Sequence, residues 1–438
     1  MSEKSGNEKG IAFLTALIVI IILLVFSGAF VGLAVYQNRA TDIYMRRMRA
    51  FHIAEAGLDK TITWLRAQGS PPVGNYTDPW GGVQNLGGGT YSVAITDLGV
   101  IGGGPSRRYK VTSTGSYMNF NRILTNYVQV DNYARYLWFT DQETYGGTIV
   151  WFFTLDHLNG PTQTNSNYNI MGNPEFDSDV ESVANYIRFY NNGSNINLDQ
   201  TTNPPYDVPI FEDGVTFGVE PTTMPKQALN LRSASTSTGG YSFSGNTTVV
   251  LNNDGSMNVI GTLTTNGKKT VYNKSTKIAM PSNGALFVNN GTLTISGTLK
   301  GQLSVGSGSG IVVPNSITYA TDPRTNPSST DTLGIISEGN VQIPSNAPNN
   351  LEIDGCIMAL GTSFYLNNYT QGPAKGTLTV YGGIIQDQRG PVGTFNASTG
   401  QQLSGYTKNY LYDNRLLTNP PPFIPTTGDY VTISYEED

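Results

Sequence analysis

The side chains able to do chemistry are few, and their spacing settles most of what they can do. The 438-residue chain has two histidines, His52 and His157, and one cysteine, Cys356. Histidine-based triads and multi-histidine metal sites need more rings than that, since each ring supplies one base or one ligand. GSGSG at Gly306 to Gly310 has the glycine and serine texture of a G-x-S-x-G string, although its third position is Gly308. A nucleophile elbow requires a helix after the serine. The proline-broken, strand-like IVVPNSITYA follows instead, so the string reads as a glycine-rich turn. GTLTTNGKK, from Gly261, has the outline of a phosphate loop but is one residue too long and lacks Ser or Thr after its lysine.

Carboxylates and arginines offer a second route. Asp322, Arg324 and Asp331, or Asp387 and Arg389, are residue types that could cleave an acidic polysaccharide, and Asp177, Asp179 and Glu181 could ligate calcium. None has a ligand-loop spacing, and all are read as solvated turn residues. Trp138 and Trp151 could form a platform for sugar rings, but aromatics on strands are read first as core. Cys356 lies in the apolar stretch LEIDGCIMAL and is expected to be a buried thiol. No catalytic residue, metal ligand or cofactor is assigned.

The elements that would hold such residues divide sharply in texture. A polar leader, residues 1–10, ends in Lys9 and Gly10, and the next charge is Arg39. Between them residues 11–36 form an uncharged run with seventeen Ile, Leu, Val or Phe. As a helix it is about 39 Å long, enough to span a bilayer, and its side chains favour insertion by on the order of 5–10 kcal/mol. Lys4 and Lys9 precede it, and Arg39, Arg46, Arg47 and Arg49 follow it. That count alone places the C-terminal part in the cytoplasm, in conflict with the reading given below.

The helix is expected to continue through residue 67, with Gly57 its one weak point and Gly69, Pro71 and Pro72 its stop. Tyr44, Met48, Phe51, Leu58, Ile62 and Leu65 recur at 4-3 spacing, with Glu55 on the same stripe. Glu55 is either partly solvated or paired with a neighbouring subunit.

Beyond residue 70 the chain is rich in Gly, Asn, Thr and Ser. Only 13 % of its residues are charged, the net charge is −6, and no Lys/Arg cluster favours nucleic acid. Residues 73–132 read as a small antiparallel sheet (GTYSVAITDL, RRYKVTSTG, RILTNYVQV) packed on the helix. YLWFT and TIVWFFTL flank DQETYGG as a hairpin within a mixed β and loop region, 133–235. GSMNVIGTL, GTLTISGTL and GTLTVYGGI recur between residues 236 and 405. Short alternating strands bounded by glycines suit a β-solenoid, whose stacked coils share one core; a β-sandwich is the alternative. Residues 406–438 are expected to cap the solenoid. The fold class is thus α+β, mostly β.

Lys9-Gly10 followed by IAFLTALIVIIILL and then AFHIAEAGL resembles the N-terminus of the type IV pilin superfamily, closest to PilX-type minor pilins and large minor pseudopilins. The resemblance implies cleavage by prepilin peptidase after Gly10, methylation of Ile11, and partners among other pilins and an inner-membrane assembly platform. Most major pilins carry glutamate at the fifth mature position; Thr15 stands here, which implies a tip or initiating subunit. Gly28 and Gly32 form a small-xxx-small pair, for close helix packing or for local loosening of the helix. LDHLNGPTQTNSNYNIMGNPEF, GGIIQDQRGPVGTF and NYLYDNRLLTNPPPFIP resemble an uncharacterised extracellular domain found behind pilin-like N-termini. The expected function is a non-enzymatic pilin or pseudopilin-like subunit, single-pass in the inner membrane with its β domain outside, then part of a filament. The alternative is a membrane-anchored protein that binds or cleaves carbohydrate.

Overall fold

A computed structural model describes residues 5–68, 70–101, 104, 106–265, 267–396 and 399–437. Of the expected leader, residues 1–4 lie outside that set, as does Gly69 of the helix stop. The chain is a long N-terminal apolar helix followed by a strand-rich domain.

The helix α1, Ser5–Arg66, is a single 62-residue element. Its apolar half touches nothing: from Ile11 to Met45 every large hydrophobic side chain is exposed. The outer half lies against a sheet whose long strands are Gly89–Val100, Arg107–Tyr117 and Phe120–Asn132, paired antiparallel in chain order. The buried helix face keeps Leu58 and Leu65 of the expected stripe, with Phe51 and Ile62 partly buried beside them, and adds a row of small residues. It is Ala50, Ile53, Ala54, Gly57, Leu58, Thr61 and Leu65, while Tyr44 stays exposed. The reason is a close approach of backbones. A Cβ at Gly115 would overlap the Ala50 carbonyl and the Ala54 amide, and one at Gly57 would overlap Ser113. Gly57 is therefore the contact point of the helix rather than its weakness.

The last strand, Thr426–Glu437, corrects the expectation of a solenoid cap. It pairs antiparallel with Phe120–Asn132 and completes the small sheet, with Tyr430 buried beside Tyr109. The alternating pattern of YVTISY suits a strand with one covered face, and a free edge of that sheet lies within its reach. The proline-rich run before it is buried instead against the second strand system. Pro421, Pro422 and Ile424 lie against Gly284, Ser304 and Gly334, and the Ser304 hydroxyl donates to the Pro422 carbonyl.

That second system consists of parallel ladders around a common core. One register column runs Tyr241, Leu286, Val305, Ile335, Ile357, Ile384, Trp138, Thr162, Val180, Val215. A second runs Ile317, Ile353, Val380, Tyr410, Leu158, Phe176, Phe211. Spatial order and chain order differ. The chain enters mid-stack at Trp138, builds outward to Val215, returns through the short helix α2, Leu229–Thr236, and builds from the far end until Ile384 meets Trp138. Seven strands between residues 138 and 217 thus belong to the same ladders as the later strands, while Phe152–Phe153, Asn169–Met171, Ile187–Phe189 and Ile196–Leu198 form a separate four-stranded sheet beside them. The expected hairpin shrinks to Thr144–Tyr145 against Thr148–Ile149, turning at Gly146-Gly147, because Trp138–Gln142 pairs in parallel elsewhere.

The far end is closed by the antiparallel strands Ser256–Thr265 and Lys268–Ala279 on Tyr241–Leu251. The outermost strand exposes Lys268, Lys269, Lys274 and Lys277, charges that discourage pairing with another edge.

Gly115→Ala tests the close approach. Gly115 has no positive φ, so the added methyl acts only by steric overlap. It should destabilise the chain by about 1–3 kcal/mol and raise hydrogen exchange in residues 50–65 selectively. Unchanged exchange in the helix would show that the contact is not the one holding it.

Candidate functional sites

The residues singled out along α1 sit as follows. Gly10, Gly28 and Gly32 are exposed, and a Cβ on any of them would meet nothing within 4 Å. Ile11 is exposed. The Thr15 hydroxyl donates to the carbonyls of Ile11 (3.1 Å) and Ala12 (3.0 Å), so its polarity is spent inside its own helix. Glu55 pairs with His52 at 2.7 Å on the same helix and is only half-buried.

The candidate catalytic sets do not assemble. Ser307 of the GSGSG string donates to the Gly291 carbonyl (2.7 Å) and accepts from the Ser309 and Gly310 amides, a closed turn. Arg324 bridges Asp322 (2.9 Å) and Glu352 (2.7 Å), over the Tyr381 ring. Asp331 is buried and accepts the Gly301 and Thr321 amides. Asp387 pairs with Lys226 at the surface. No ion pair joins the Arg324 set to the Asp387 and Arg389 set among the described residues. Around Asp177, Asp179 and Glu181, which were read as solvated turn residues, the ligand-bearing atoms that converge are those of His157, Glu175 and Asp177, all within 4.8 Å. The Asp177 carboxylate is already held by His157 (2.8 Å) and Asn159 (2.7 Å).

Asp354, which the sequence did not flag, lies beside Arg324 and is displaced from its ordinary range. Burial pushes its carboxyl up to about 7 against the donated Tyr319 amide (3.0 Å), with Glu352 adding to the rise and Arg324, 3.9 Å away, opposing it.

Arg389, read from the sequence as a solvated turn residue, is fully buried. Its guanidinium lies 3.4 Å from the Phe152 ring centroid and donates to Glu143 (3.1 Å) and the Trp151 carbonyl (3.0 Å). Asp156 lies 3.6 Å from it and accepts from Lys408 at 2.6 Å, whose amine burial depresses. Two cations and two carboxylates thus meet where the strand ending at Gln388 joins Trp138–Gln142. The Trp138 indole also donates to Glu143 (3.2 Å), so this tryptophan is core as expected.

Trp151 has a different fate. It is half-exposed and lines a cavity of 240 Å³ with Tyr145, Tyr369, Phe395 and Lys408. A second cavity of 400 Å³ shares Phe153 and Met171 with the first and is bounded by Tyr190, Tyr206 and Asn192. The residues come from seven separate stretches of chain, which is why no local motif announced them.

No family model matches the chain, and no curated protein matches it. Among solved structures it is similar to the crystal structure of competence-associated pilin ComZ from Thermus thermophilus, at 12 % identity over 90 % of this chain and 97 % of that one, with a TM-score of 0.35. A score at that level carries no functional weight.

Two outcomes follow from the buried groups. Arg389→Met strands Glu143 without a counter-charge, leaves Asp156 with Lys408 alone, and should cost about 3–5 kcal/mol in thermal or urea unfolding. Adding Glu143→Leu should recover part of that loss, because an uncompensated carboxylate is the larger cost. For Asp354, the raised folded value means that stabilisation is complete below the ordinary carboxylate range near 4 and is lost as pH rises through 7. Asp354→Asn should therefore flatten the fall in unfolding temperature between pH 5 and 8 and add about 1–3 kcal/mol at pH 8. A parent-like slope in the variant would remove Asp354 as the cause.

Proposed function

We propose that the chain is a non-enzymatic, pilin-like subunit. It is held in a membrane by residues 11–36 and then built into a filament through the same helix, with its strand-rich domain displayed outside the cytoplasm. One observation carries the reading: α1 is a single continuous helix whose outer half is fixed to a sheet while its inner half, apolar on every side, has no protein cover. A simple anchor needs about 20 residues; this helix extends well beyond that and is rigidly joined to the domain it carries.

The arginines after the span bear on orientation. Arg49 donates to the Tyr117 hydroxyl at 2.6 Å, Arg47 lies over Phe120, and Arg46 pairs with Asp42. Arg47 and Arg49 help dock the helix on the sheet, a folding reason for their presence that is independent of topology. That weakens the Lys/Arg count as an argument for a cytoplasmic domain. Thr15, uncharged and bonded within its own helix, offers no carboxylate to a neighbour's amine, which supports a tip or initiating position. The ladders support a β-solenoid over a sandwich, since sandwich sheets are built from antiparallel pairs.

Intact-mass measurement of the protein from filament-producing cells tests processing. The expected mass is that of a chain starting at N-methylated Ile11, and Gly10→Val should leave residues 1–10 attached and the protein in the membrane fraction. A native protein retaining residues 1–10 would favour a permanent anchor.

A further inference from the structure

We propose that the cleft beside Trp151 binds a neutral glycan chain, with successive hexopyranose rings laid against aromatic faces. The two cavities adjoin along one side of the ladders, with Phe153 and Met171 walling both. The larger, at 400 Å³, falls within the ~300–1,000 Å³ of ligand sites. The rings that bound the cavities are braced by other rings. Trp151 meets Tyr190 edge-on at 5.5 Å, Tyr145 meets Tyr369 at 6.3 Å, and Phe395 stacks on Phe153 at 5.3 Å. Bracing of this kind fixes the faces before a ligand arrives, so little side-chain freedom is lost on binding. Trp151, Tyr145, Tyr369 and Tyr190 are half-buried and Tyr206 is 51 % exposed, so part of each ring is open to a ligand.

Charge selects among ligands that stack on aromatics. Single-stranded nucleic acid also stacks, but needs a track of cations for its phosphates. Among the described residues, Lys408 is the one cation lining either cavity, and its amine is held by Asp156 at 2.6 Å. The one acid among them, Asp207, is held by the Gly172 (2.8 Å) and Asn191 (2.7 Å) amides. The cleft thus presents apolar faces with uncharged polar groups, among them Thr148, Thr394 and Asn192, at its edge. That is the chemistry of a neutral sugar, whose C–H faces are apolar and whose rim is hydroxyl. A proline-rich peptide shares the apolar part but brings no comparable rim of donors.

The test uses the full chain in an amine-oxide detergent, which has no sugar headgroup. Cellohexaose, chitohexaose and maltohexaose are titrated by calorimetry and tryptophan fluorescence, beside a proline decapeptide. At least one hexasaccharide should bind saturably, and Trp151→Ala and Tyr206→Ala should each weaken it at least tenfold. Tyr435→Ala, exposed on the last strand, should leave it unchanged. Tyr206 lies at the surface, so its variant remains informative if Trp151→Ala misfolds. The proposal is overturned by no saturable binding of any hexasaccharide, by binding indifferent to Tyr206→Ala, or by tighter binding of the peptide. None of these results depends on whether the chain enters a filament.

Discussion

The stack stands or falls on the junction between Ile384 and Trp138. Two stretches of chain that are far apart in sequence must present matching register there, and the ladder hydrogen bonds alone do not distinguish this pairing from any other pair of parallel edges. What distinguishes it is Arg389. Its guanidinium finds Glu143, Asp156 and two rings only when residues 138–156 and 384–389 are side by side. A buried ion cluster is a poor source of net stability, but misregistered pairing would leave Arg389 and Glu143 unmatched in a dry interior. The cluster therefore acts as a register key for a ladder whose chain order is broken.

From that junction a continuous mechanical path leads to the membrane helix. The proline-rich run lies against three successive strands of the stack and continues into Thr426–Glu437, the edge strand of the small sheet. That sheet in turn holds α1 at backbone contact through Gly57 and Gly115. Proline suits the strap, since it loses little backbone entropy on ordering and has no amide hydrogen to satisfy in a buried position. Force applied to the helix is thus transmitted to the ladders through ordered elements rather than a linker.

The parts legible in the sequence were those with local causes. The long helix follows from composition and the absence of proline, and the three strands of the small sheet from period-2 alternation. The parts that were not legible depend on partners far along the chain. GTLTISGTL and GTLTVYGGI match in pattern and share a ladder, yet they are out of step: Gly297 of the first, not the matching Ile295, stands in the column of Ile317, Ile353 and Val380. GSMNVIGTL lies in the antiparallel end cap. Turns of unequal length, Leu286 to Val305 against Val305 to Ile335, erase any fixed repeat. Arg389 and Trp151 were misjudged or left undecided for one reason: burial is set by which strand lies alongside, and the strand alongside Arg389 comes from residues 138–156. The small-residue part of the buried helix face was missed because sequence patterns reward large apolar residues such as Leu58 and Leu65, whereas Gly57 and Ala54 work by being small.

The bare half of α1 constrains its surroundings more tightly than its length does. A helix that docks on one partner needs one apolar stripe and can leave the rest polar. Residues 11–36 have no polar side, and Thr15 turns its hydroxyl back on the helix backbone. One partner would cover a single face and leave the remainder in water, at about 25 cal/mol for each Å² of apolar surface. Only surroundings that enclose the helix on all sides remove that cost, and a bilayer and a bundle of similar helices both do so. The same surface is therefore suited to either state, and moving between them need not pass through exposure to water if one replaces the other contact by contact.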